Sequence, residues 1–243
     1  MKSIYLDIGN SSLKLAGHKN SGWITLCKYS VNEVVGLIDH VESEFEDAHL
    51  VISSVREDIL ESVQSSLEKN KITVLERSQI PKSMLNYGTP HSLGLDRFLV
   101  CLAARNLAEK GVIVVDSGSA CTIDTMSSAG IFEGGVIMPG LGMLKSIISE
   151  KLPELPVPPE EIPDIWPGKS TAESIQWGAY WGFGQLVKQF LLKYLQSHPE
   201  SALYITGGDS QFLKKQLSSD FNLQVRDHLL FEGMRDFYRM LED

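Results

Sequence analysis

The chain has 243 residues, 43% of them hydrophobic and 22% charged, with a formal net charge of -9. That length buries a sizeable core in one large or two smaller domains, and the acidic balance argues against a nucleic-acid partner, which needs clustered Lys and Arg. Cys27, Cys101 and Cys121 form no CxxC pair, Asp7 stands where a signal peptide would stay apolar, and no run could span a membrane, so a cytoplasmic protein is expected.

In chain order, residues 3–7 form a short β-prone run ending at the turn Gly9-Asn10-Ser11. Residues 12–16 and 23–29 read as two further strands of an antiparallel meander, split by a turn-rich stretch. Helical periodicity follows over 31–41, a buried strand over 50–53, and an amphipathic helix over 58–70 with Ile59, Val63 and Leu67 on one stripe. After a strand at 72–75 and a helix over 95–110, a second cycle begins. Val112-Ile113-Val114-Val115-Asp116 is an apolar strand, followed by strands at 121–126 and 131–137. Both halves thus place Asp-x-Gly at the end of an apolar strand, the trace of an internal duplication.

Six of the ten prolines lie in 153–167, which reads as an extended connector. A long helix is predicted over 171–196. Gly178, Gly182 and Gly184 each cost it about 1 kcal/mol, which suggests close packing by another helix. The end alternates again: strand 203–206, helix 210–217, strand 223–226 and a last helix to Met240.

Three turns carry candidate chemistry. In Asp7-Ile8-Gly9-Asn10-Ser11-Ser12, backbone donors can face phosphate oxygens, and Asp7 can orient Mg²⁺ directly or through water. Asp116-Ser117-Gly118-Ser119-Ala120-Cys121-Thr122 repeats the device, with Ser119 and Thr122 hydroxyls as further donors. Thr206-Gly207-Gly208-Asp209 would let a ring or sugar lie against bare backbone. Taken singly, each is equally an ordinary Asx-type or glycine-softened turn. Two Asp-x-Gly turns in one chain favour a polyphosphate clamped in a cleft.

These motifs, in this order, resemble the phosphate and adenosine loops of the actin, Hsp70 and sugar-kinase superfamily. Within it, Gly94-Leu95-Asp96-Arg97, Asp116-Ser117-Gly118-Ser119-Ala120 and Gly134-Gly135-Val136-Ile137-Met138-Pro139-Gly140 resemble type III pantothenate kinases. So do Gly168-Lys169-Ser170-Thr171-Ala172-Glu173-Ser174 and Leu203-Tyr204-Ile205-Thr206-Gly207-Gly208. The matches span nearly the whole chain.

The resemblance implies an α/β fold of two ribonuclease-H-like domains with mixed sheets, 1–111 and 112–243, and an interdomain nucleotide cleft. It implies ATP-dependent phosphorylation of pantothenate to 4'-phosphopantothenate, the first step of coenzyme A biosynthesis; a homodimer is expected separately, from the apolar face of residues 171–196. ATP would be held by Asp7, Ile8, Gly9, Asn10, Ser11, Ser12, Leu13, Lys14 and Ser119. Asp96 would be the proton acceptor, with Tyr87, Gly94, Leu95, Arg97 and Thr171 around pantothenate. Asp116 would bind a monovalent cation, K⁺ or NH4⁺.

The residues themselves support these roles unevenly. Asp96 is equally a helix cap, Tyr87 a packing aromatic, and Thr171, Glu173 and Ser174 a capping arrangement. Trp177, Tyr180 and Trp181 mark an apolar face that either meets a second copy or lies in the core. Cys101 and Cys121 read as core, Lys145 and Lys169 as surface.

Ser11, Leu95, Ser119 and Cys121 depart from the family's usual residues, and these changes bear on affinity and fit more than on reaction type. A kinase for another small alcohol and a non-catalytic regulator binding ATP or pantothenate are the alternatives. A regulator would usually lack one of Asp7, Asp96 and Asp116.

Overall fold

The computed structural model describes residues 3–20 and 22–242. Its β-strands form two five-stranded mixed sheets. In the first, β1 (Ser3–Ile8), β2 (Ser12–Lys19) and β3 (Gly22–Ser30) make the expected antiparallel meander. Strand β4 (His49–Ser54) adds parallel to β1, and β5 (Lys71–Val74) parallel to β4, giving the order β3-β2-β1-β4-β5. The second sheet repeats this plan. Strands β6 (Val112–Ser117), β7 (Ala120–Met126) and β8 (Phe132–Pro139) form the meander, and β9 (Ala202–Thr206) and β10 (Leu223–Val225) extend it in parallel as β8-β7-β6-β9-β10. The duplication glimpsed in two Asp-x-Gly turns therefore extends to strand order and direction.

Eight α-helices are described: α1 (Val34–Phe45), α2 (Glu57–Ser66), α3 (Leu95–Ala108), α4 (Leu141–Lys151), α5 (Thr171–Gln176), α6 (Gly182–Ser197), α7 (Ser210–Leu217) and α8 (Leu229–Glu242). Helix α2 stops short of the expected Asn70 because that side chain turns back to donate to the carbonyls of Phe45 and Ala48. The expected long helix is α5, a π-helical turn over Trp177–Trp181, and α6, run together. A π turn displaces backbone carbonyls from their usual partners. Here Gln216 of α7 donates to the Tyr180 carbonyl at 3.2 Å. Gln216 fits only because residue 184 has no side chain: a Cβ there would lie 1.9 Å from its Oε1. Of the three helix glycines, Gly184 alone shows the predicted close packing; a Cβ at Gly178 would meet nothing within 4 Å. The proline-rich stretch contains neither helix nor strand, as expected.

The chain forms two compact units. One runs to Ala103 and takes in the segment from His228 onward; the other is Ala104–Asp227. The five strands of each sheet fall on their own side of residue 111, but α8 packs with the first unit. The first core gathers Ile4, Leu6, Leu15, Leu37, Leu50 and Ile52. Against that unit α8 buries Leu229, Phe231, Met234 and Phe237, with Phe237 edge-on to Phe98 of α3 at 5.8 Å. Each such side chain contributes about 1.5–3 kcal/mol when fully buried. The second core joins Val115, Ile123, Tyr180, Phe183, Val187 and Ile205. Cys101 and Cys121 are core residues, as expected.

Candidate active site

In the first unit, β1 carries Asp7 to the mouth of a tight turn, where the Gly9 N–H donates to the Ser12 carbonyl at 3.0 Å. The ladder sets Asp7 opposite Lys14, and opposed residues of an antiparallel pair share a face. Ile8 and Leu13 are fully buried, so within the predicted ATP stretch they offer backbone only. Asn10 and Ser11 are exposed at the tip.

The other first-unit residues meet at the start of α3. The Asp96 Oδ1 accepts the Arg97 N–H at 2.9 Å. A side chain at Gly94 would put its Cβ 2.5 Å from the same oxygen, so the glycine clears space for the carboxylate. Burial pushes the Asp96 carboxyl above the ordinary range; the Arg97 N–H and the Arg97 charge pull it back only in part. Arg97 is itself buried, with its guanidinium 6.0 Å from the centre of the Tyr87 ring and donating to the Tyr87 hydroxyl at 3.5 Å. Tyr87, Gly94, Asp96 and Arg97 are thus brought together. Leu95 is 7% exposed and contributes to the unit's interior.

Thr171 belongs to the second unit, as the first residue of α5. The capping arrangement expected there exists and uses Glu173, but its partner is Ser170 rather than Thr171. Ser170 is the N-cap: its hydroxyl accepts the Glu173 N–H at 3.2 Å, while the Glu173 carboxylate accepts the N–H groups of Lys169 and Ser170. This leaves the Thr171 side chain exposed.

Two segments converge on the β6–β7 hairpin. Asp116 is half-buried, Ser117 is fully buried, and Gly118 to Ala120 form an exposed tip closed by a 2.9 Å bond from the Gly118 N–H to the Ala120 carbonyl. The Ser119 carbonyl accepts the Gly140 N–H that precedes α4. Gly207 adopts φ +90°, and a Cβ there would lie 2.3 Å from the Ser117 carbonyl oxygen and 2.7 Å from Asp116 Oδ1. Only glycine satisfies both demands. Thr122 faces Asp116 across the ladder, and its Oγ1 is buried without a hydrogen-bond partner. A buried hydroxyl left unpaired beside a carboxylate fits the donor set of a monovalent cation.

Asp209 was legible only as part of a glycine turn, yet it links this region. Its Oδ2 accepts the Ser117 hydroxyl at 3.1 Å, and its N–H donates to the Ser117 carbonyl at 3.1 Å. Burial raises its pKa, opposed by Ser117 and by the charge of Lys145. Lys145, paired with Glu160, stands beside Ile148, Leu155, Val157 and Tyr180 in a groove.

A family model described as type III pantothenate kinase matches residues 3–193. The chain belongs to that family. Among its curated relatives, a type III pantothenate kinase of Flavobacterium johnsoniae is 25% identical over 96% of each chain. One of Chlorobaculum tepidum is 35% identical over 140 residues, 55% of this chain and 52% of the relative, so that match spans about half the relative's length. Among solved structures, a Campylobacter jejuni protein assigned to the Baf family of transcriptional activators matches with a TM-score of 0.66, 25% identity and 98% of each chain. A Listeria monocytogenes protein assigned as an N-acetylmannosamine kinase matches at TM-score 0.58 and 11% identity over the whole of both chains. That last likeness speaks for the fold: the family member described here has the two-sheet α/β architecture of actin-like sugar kinases. Among the described residues no helix is long and apolar enough to cross a membrane.

Proposed function

We propose that this family member is an ATP-dependent pantothenate kinase. It transfers the γ-phosphoryl group of ATP to the primary hydroxyl of pantothenate, giving 4'-phosphopantothenate, the first step of coenzyme A biosynthesis. The observation that carries the reading is the half-buried Asp96 carboxylate at the start of α3 beside a buried Arg97.

Phosphoryl transfer through a loose transition state asks mainly for positioning and charge, plus a group that takes the hydroxyl proton late. Asp96 fills that role, since its raised pKa makes it a better proton acceptor than an exposed aspartate. Arg97 pairs with the pantothenate carboxylate through its fork of donors. Tyr87, Gly94, Leu95 and Thr171 complete the substrate surroundings. The stretch Asp7 to Lys14 and Ser119 hold ATP. Asp7 would hold Mg²⁺ directly or through water, and Asp116 with Thr122 would hold K⁺ or NH4⁺. These cations, when bound, neutralise phosphate charge.

The protein acts in the cytoplasm as two domains that divide between the two sheets near residue 111, with α8 belonging to the first. It forms a homodimer through the aromatic face around Trp177, where Trp166 and Trp181 stack edge-on against that ring and are 68% and 41% exposed. Tyr180, by contrast, is core. Sedimentation at micromolar concentration should give twice the mass of one chain; a single-chain mass removes the dimer.

The test of function is ADP release with ATP, Mg²⁺ and K⁺, with and without pantothenate. Turnover that needs pantothenate and falls when Na⁺ replaces K⁺ is expected. Saturable pantothenate binding without turnover would leave a regulator instead, and turnover only with a different small alcohol would reassign the substrate.

A further inference from the structure

We infer that Asp209 is a positioning residue for the nucleotide, holding the hairpin that presents Ser119 to ATP and Asp116 to the cation beside it. This rests on the ATP-dependent reading above.

Ser117 lies between the two residues proposed to work on ligand, and it is fully buried. Successive strand residues point to opposite faces. Fixing Ser117 on the inner side therefore fixes the direction in which Asp116 points. Asp209 grips Ser117 twice, through the side-chain bond to Oγ and the main-chain bond to the carbonyl, both 3.1 Å. Asp209 thus ties the hairpin to the glycine turn.

The turn leaves no slack for an alternative arrangement, because Gly207 is already packed against Ser117 and Asp116. A carboxylate at 209 gives the buried Ser117 hydroxyl a charge-assisted bond, stronger than one between neutral groups.

The test uses Asp209→Asn and Ser117→Ala, titrated by calorimetry with the non-hydrolysable analogue AMP-PNP and Mg²⁺, and assayed for KM of each substrate. Each variant should weaken AMP-PNP binding and raise KM for ATP by about tenfold, with KM for pantothenate within about twofold. The double variant should lose no more than about twofold beyond the worse single one, since both changes act on one bond: the amide strips it of its charge, and the alanine removes its donor.

Unchanged AMP-PNP affinity in folded Asp209→Asn would overturn the inference, as would equal losses for both substrates or additive losses. Should Asp209→Asn not fold, Ser117→Ala decides by the same criteria. If the wild type binds AMP-PNP but does not turn over pantothenate, the kinase reading falls while the calorimetry still decides the role of Asp209. A wild type that does not bind AMP-PNP overturns both.

Discussion

Asp96→Asn is expected to lower kcat by about a thousandfold while leaving KM for ATP within about threefold. The amide keeps the shape of the carboxylate and an oxygen for the Arg97 N–H, which Asp96 now accepts at 2.9 Å. What it loses is the ability to take the proton of the attacking hydroxyl. The pH profile provides a second reading. Burial raises the Asp96 pKa, so the acid limb of kcat in the wild type should lie above the range of an ordinary aspartate, with turnover falling as pH drops through it. Residual activity in the variant should lack that limb.

Stability should move the other way. A carboxylate whose folded pKa exceeds its unfolded value costs the fold free energy wherever it is ionised, so the variant should melt no lower than the wild type at neutral pH. A folded Asp96→Asn protein with unchanged kcat would end the assignment of Asp96.

Gly233→Ala should be the most damaging single-methyl change in the first unit. A Cβ at that position would lie 2.1 Å from the Leu99 carbonyl oxygen, 2.6 Å from its carbon and 3.0 Å from its Cα. All three are backbone atoms inside α3, so no side-chain rotation relieves the clash. Helix α8 must lift, loosening the contacts of Met234 and Phe237 on either side of the new methyl. Overpacking against fixed backbone costs about 3 kcal/mol, which for a protein of this size lowers the melting midpoint by about 6–12 °C. A thermal melt followed by circular dichroism checks it, with Gly178→Ala as the control that meets nothing within 4 Å. A Gly233→Ala melt that overlays the wild type would mean that α8 is not seated on α3 as described.

Much of this architecture was legible in the residues because its strands are short apolar runs closed by turn chemistry. Val112-Ile113-Val114-Val115-Asp116 matches β6 to within one residue. Helix α4 was not legible, and the reason is physical. Its N-cap is a glycine without a side-chain bond, so no capping residue marks its start. The π turn was hidden likewise, since its freed carbonyl is satisfied by Gln216 on α7 rather than by a neighbour in sequence.

The grouping of Tyr87 with Arg97 came from the family resemblance, and the structure adds the ring contact between them. Ser117 and Asp209 stood inside quoted motifs without roles, because their mutual bonds join segments that sequence order keeps apart. The amphipathic stripe of Phe231, Met234 and Phe237 announces a buried face, but periodicity says nothing about which sheet will receive it.

The return of α8 bears on how the protein is made. Proteins of more than one domain generally acquire structure from the amino end during synthesis. Here Ala104–Asp227 is one unbroken stretch, whereas the unit begun first is finished last, by the segment from His228. Until that segment leaves the ribosome, the surface that awaits Leu229, Phe231 and Phe237 is exposed to solvent and to other nascent chains. The first unit therefore keeps an apolar surface open to association until its last helix has been made.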